Sequence, residues 1–125
     1  MAANRDTFRG TRQYQLLYDK LVSAARTGHQ VFHAEVTEIL AGPSGDGPTN
    51  EEITRLLREI AEDEHHAGRP LLTALVLTGK GIPGNVFFAT ARDLGKLASA
   101  DPADEMKFWM AEKATVYETW RRTSA

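Results

Sequence analysis

Cysteine is absent from all 125 residues, which excludes disulfides, thiolate nucleophiles and zinc ribbons. Long apolar runs are missing as well. The longest near-continuous one, Leu71 to Leu77, is too short to cross a bilayer, so no membrane partner is expected. Met1 to Thr11 is polar and charged without an apolar h-region, which predicts no signal peptide and a cytoplasmic address. Excess charge of one sign is also lacking. A formal net charge of −2 creates no global positive field to draw the chain onto nucleic acid or an anionic membrane. A local basic patch stays open.

The apolar share of 42% and charged share of 26% are those of an ordinary globular chain. A chain of this length fits one domain and buries roughly two-thirds of its unfolded surface. Residues 1–10 read as a flexible tail and residues 11–125 as a single domain. From Thr11 to Thr27, Tyr14, Leu17, Tyr18, Leu21, Ala24 and Ala25 recur with helical spacing, and Gly28 suits the stop. A short extended piece, Gln30 to His33, precedes a second helix over Ala34 to Leu40. Residues 41–48 are a Gly/Pro loop by composition.

Thr49 and Glu52 have capping-box spacing at the head of a third helix. Its stripe is Ile53, Leu56, Leu57, Ile60 and Ala61, and it ends at Gly68 with Pro70 behind. Leu71 to Leu77 is apolar without alternation, as in a strand covered on both faces. Thr78 to Gly84 reads as a turn-rich hairpin or wing, followed by a helix from Asn85 that Gly95 closes. A last helix over 104–122 places Met106, Trp109, Met110, Tyr117 and Trp120 on one face. This order predicts a helix-rich α+β fold with a winged-helix-like core: three helices, a buried strand and a Gly/Pro wing, plus additional C-terminal helices.

Two resemblances span roughly residues 13–95. The run Gly68-Arg69-Pro70-Leu71-Leu72-Thr73-Ala74-Leu75-Val76-Leu77, continued by Gly81-Ile82-Pro83-Gly84 and Phe87-Phe88, resembles a stretch found in a set of small bacterial winged-helix-like domains. More remotely, the order of Tyr14, Gly28, His33 to Leu40 and Pro70 through Gly84 is similar to the DNA-binding domain of O6-alkylguanine alkyltransferases and alkyltransferase-like proteins. That likeness implies a recognition helix and a wing. It does not carry the family's chemistry, because the strand that should hold the acceptor Cys and its His-Arg pair holds Leu71, Leu72, Thr73 and Ala74.

No catalytic set, cofactor site or metal site is expected. The cluster Glu59, Glu62, Asp63, Glu64, His65 and His66 contains Glu62/His65 and Asp63/His66 at the Glu-x-x-His spacing of di-iron bundles, but it sits opposite the apolar stripe and reads as a solvated, charged helix end. His29 and His33, if extended, lie about 13 Å apart, too far to share a metal. The serines lack a Gly-x-Ser-x-Gly setting. Gly79-Lys80-Gly81 lacks the phosphate-loop pattern and reads as a turn.

Arg55 and Arg58 on the third helix, with Arg69 and Lys80 on the flank and wing, are the candidate nucleic-acid contacts. Arg5, Arg9, Arg12 and Lys20 add a second basic group. Against them the same helix carries Glu51, Glu52, Glu59, Glu62, Asp63 and Glu64, which repel phosphate. The expected function is therefore a non-enzymatic recognition or adaptor module of a bacterial-type regulatory or defence system. It would bind a protein partner or self-associate through Trp109, Tyr117 and Trp120, and nucleic-acid binding by the third helix and wing is the alternative.

Overall fold

The apolar stripe from Leu17 to Ala25 folds as α1 (Arg12–Thr27), with Thr11 accepting the Tyr14 amide at its start and Gly28 at φ 77° ending it. The left-handed conformation at Gly28 is cheap only for glycine. In this computed structural model residues 8–41 and 49–122 are described. They form β1 (Val31–Phe32), α2 (His33–Leu40), α3 (Asn50–His66), β2 (Val76–Leu77), α4 (Asn85–Asp93) and α5 (Pro102–Arg122) after α1. The result is a helix-rich α+β fold in which β1 and β2 are parallel, Val31 facing Val76 and Phe32 facing Leu77. A parallel pair needs a long crossover, which α2 and α3 supply.

The segment expected as one buried strand is mostly something else. Leu72–Leu75 is a 3₁₀ turn, and only Val76 and Leu77 extend. An apolar run without alternation fits any fully buried segment, and β1 offers just two residues to pair with. This turn is the hub of the molecule. Leu71, Leu72, Ala74 and Leu75 are completely buried, and α1, α3 and α5 all pack around them. Each such leucine contributes about 1.5–3 kcal/mol by leaving water.

The Thr78–Gly84 segment is a turn, held where the Thr78 amide and hydroxyl both reach the Ile82 carbonyl at 2.8 and 2.9 Å. Among the described residues it is flanked by no antiparallel strand pair. On α5 the inward face is Trp109, Glu112, Val116 and Trp120, whereas Met110, expected inside, is 61% exposed. The expected tail divides: residues 1–7 lie outside the described residues, while Phe8 packs on the core. The 41–48 loop also lies outside them, apart from Ala41. Among the described residues no helix is long and apolar enough to cross a membrane.

Candidate functional site

Helices α2, α3 and α4 meet β2 around a cleft of about 400 Å³. The first residue of each helix lines it: His33, Asn50 and Asn85. Ile53, Leu57, Val76, Leu77 and Phe87 form apolar walls, and Thr54, Thr73, Thr78 and Thr90 bring hydroxyl-bearing side chains. Among these described lining residues His33 is the sole titratable side chain. The cleft therefore presents hydroxyls, amides and helix ends on an apolar wall, with no acid–base pair.

Two features of α4 mark this cleft as more than a surface dent. The helix starts at Gly84, which offers no side-chain cap, and its first turn carries no acidic residue. Five residues into α4, Thr90 is 1% exposed and its Oγ1 has no hydrogen-bond partner. A buried hydroxyl left unpaired costs about 1–3 kcal/mol.

Two carboxylates of the α3 cluster are not solvated as expected, whereas Glu62, Asp63, His65 and His66 keep partial or full exposure. Glu59 and Glu64 are 6% and 1% exposed. Arg69 holds Glu64 with both nitrogens of its fork, Nε to Oε1 at 3.0 Å and Nη2 to Oε2 at 2.8 Å. The Tyr18 hydroxyl donates to Glu64 at 3.0 Å and the Tyr14 hydroxyl to Asp63 at 2.6 Å. Burial first, and then these carboxylates, push both phenols up, Tyr18 to about 12. The Phe8 amide donates to Glu59 at 2.7 Å, and Arg9 reaches Glu62 and Asp63 at 3.0 and 2.9 Å. Residues 8–10 are thereby docked on α3 and do not hang free. Among the described residues no group of three or more Asp, Glu or His side chains is placed to hold a metal ion. Glu62 and Asp63 face Arg9, Arg58 and Tyr14 instead.

The four candidate nucleic-acid contacts are not one patch of open charge. Arg58 is tied to Glu62 at 3.1 Å and Asp93 at 2.6 Å, and Arg69 to Glu64 while covering the Trp120 ring at 5.6 Å. Lys80 is exposed at the Thr78–Gly84 turn, and Arg55 is half-buried. Among the described residues neither has an ion pair.

The aromatic anchors of α5 point inward. Trp109 and Trp120 are 8% and 9% exposed, and the Trp109 indole donates to the Ala74 carbonyl at 2.9 Å. Tyr117 is half-buried, its hydroxyl on the His29 carbonyl at 2.8 Å. These side chains hold α5 to the hub, so they offer little open surface to a partner. A further buried carboxylate, Glu112, accepts from the Leu71 amide at 2.7 Å and from Lys96, fixing the entry to the 3₁₀ turn.

The chain matches no known family, no curated protein and no solved structure.

Reading the sequence alone singled out none of His33, Asn50, Gly84, Asn85, Thr73 or Thr90 as a site. One signal was present: α4 begins after a glycine, with no Ser, Thr, Asp or Asn at the capping position and no Asp or Glu in its first turn. The convergence of three helix starts was invisible, because it depends on the parallel pairing of β1 with β2.

Proposed function

We propose that this chain is a non-enzymatic recognition module on a winged-helix-like plan, and that it recognises its ligand or partner in the cleft between α2, α3 and α4. The observation that carries this reading is the cleft itself: apolar walls, hydroxyls and amides, three helix starts and, among the described lining residues, no Asp, Glu, Lys or Arg. Such a lining suits reversible binding, in the volume range of small-ligand sites. The winged-helix-like plan rests on the order of elements and on the resemblance to small bacterial domains and to the alkyltransferase scaffold. Fold likeness says little about function, so the reading leans on the cleft.

Self-association through the α5 aromatics is disfavoured by their burial, and the nucleic-acid alternative retains only Arg55 and Lys80 as unengaged cations among its four candidates. The test is amide chemical-shift mapping of the isotope-labelled chain against a mixed fragment library. The expected result is that binders shift Asn50, Thr54, Thr78 and Asn85 together. Binders that cluster on α5, or scatter over the surface, would remove the cleft as the recognition site.

A further inference from the structure

We infer that two copies of this chain pair antiparallel through the outward face of α5, as a weak symmetric dimer. The surface is separate from the cleft, whose described lining includes no residue of α5.

The inward face of α5 is spent on the hub through Trp109, Glu112, Val116 and Trp120, all buried. On the opposite side Asp104, Lys107, Ala111, Ala114, Glu118 and Arg121 are all exposed. Their spacing alternates between three and four residues, the period of a seam between two helices. The seam has charged ends and an apolar middle. Ala111 and Ala114 stand at its centre, flanked by Met110, which is 61% exposed. Protein interfaces share that arrangement, an apolar core inside a polar rim.

The order of the charges selects the occupant. Along the stripe it runs acid, base, alanine, alanine, acid, base. Laid antiparallel on a second copy, the stripe sets Asp104 against Arg121, Lys107 against Glu118 and Ala111 against Ala114. Every charge then meets its opposite, and the two-fold axis makes each of these contacts occur twice. A parallel pair in register would set like against like at every charged position, so charge complementarity favours the antiparallel one. Alanines at the centre let the helix axes approach to about 8 Å, the short end of the usual range. Met110 lies next to that centre, where the second copy covers it.

Asp104 and Lys107, like Glu118 and Arg121, also stand three apart on their own helix, where opposite charges attract. Pairing with a second copy exchanges such exposed contacts for similar ones. The charges therefore fix direction and register, while the apolar middle supplies the attraction. From Asp104 to Arg121 the stripe is about 26 Å long. One helix face of that length makes a small interface, and the pair is accordingly weak.

Sedimentation equilibrium of the full chain tests this up to about 1 mM protein, in about 0.05 M salt, where screening is slight. The parent should dimerise reversibly. Lys107→Glu brings carboxylates together on both sides of the axis, and Glu118→Lys brings ammonium groups together. Each variant alone should associate at least about tenfold more weakly than the parent. Both positions are exposed, so the variants fold, which circular dichroism checks. Mixed in equal amounts, the two variants should associate as tightly as the parent, because every contact across the axis is again between opposite charges. Damage to the fold would not be repaired by mixing. A parent that stays monomeric over the whole range overturns the proposal. So do single variants that dimerise as tightly as the parent, or a mixture that associates no better than its components.

Discussion

Arg69 and Glu64 form a two-pronged pair, with bonds of 3.0 and 2.8 Å, and the carboxylate side of that pair is 1% exposed. The guanidinium cannot serve a phosphate without abandoning a buried charge. Arg69→Ala should therefore act on stability. It strands Glu64 and uncovers the Trp120 ring. Breaking a buried pair costs about 3–5 kcal/mol; because Arg69 is 39% exposed on its side chain and water screens it, about 2 kcal/mol is expected. Arg69→Lys should recover only part of this, since an ammonium lacks the fork. Urea unfolding of the three proteins measures it; equal midpoints would show that the pair contributes nothing.

The tyrosines above the same carboxylates predict an alkaline weakness. Tyr18 is pushed up to about 12 in the folded chain, by burial first and then by the Glu64 charge, whereas an unfolded tyrosine titrates near pH 10. The folded value is the higher one. Stability from this group is thus complete below about pH 10 and is lost as pH climbs toward about 12. Tyr14 shifts in the same direction. Thermal melts across that window should show the parent losing stability faster than Tyr18→Phe. Parallel curves would contradict the coupling.

Trp109 anchors α5 to the hub through its bond to the Ala74 carbonyl. Trp109→Ala should cost about 3–5 kcal/mol as a core truncation. Trp109→Phe keeps much of the volume but leaves that carbonyl unpaired, at about 1–3 kcal/mol. Denaturant unfolding of both separates packing from the hydrogen bond. A Trp109→Ala protein as stable as the parent would return the indole to the surface as an interface residue.

Why one part of this molecule was readable and another was not comes down to which contacts are local. The helix at Arg12–Thr27 and the box at Thr49 and Glu52 depend on residues three and four apart, and both stand where the spacing puts them. Glu59 and Glu64 look solvated on a helical wheel because their cover, Phe8, Tyr18 and Arg69, comes from outside their helix. Tyr14 and Tyr18, stacked at 6.1 Å, were read as core and also serve as hydrogen-bond donors. The run Leu71–Leu77 announced its burial correctly and its conformation incorrectly. Burial is set by composition, whereas 3₁₀ against strand is set by the two residues β1 has to offer. The cleft was illegible for the same reason: His33, Asn50, Asn85 and Thr90 become neighbours only through the crossover.

Nucleic-acid binding predicts a sharp outcome as well. With Arg58 and Arg69 engaged by carboxylates, a mixed-sequence duplex should show no retention of the chain at low salt, where phosphate contacts are strongest. Retention that weakens in Arg55→Ala and in Lys80→Ala would restore the helix-and-wing footprint.

The most direct measurement is a crystal structure of the full chain grown with the tightest-binding fragment of the library screen. The account predicts the fragment in the cleft between α2, α3 and α4, against Ile53, Leu57 and Phe87. A fragment seated on α5 or at the Lys80 turn, with none in the cleft, would contradict it.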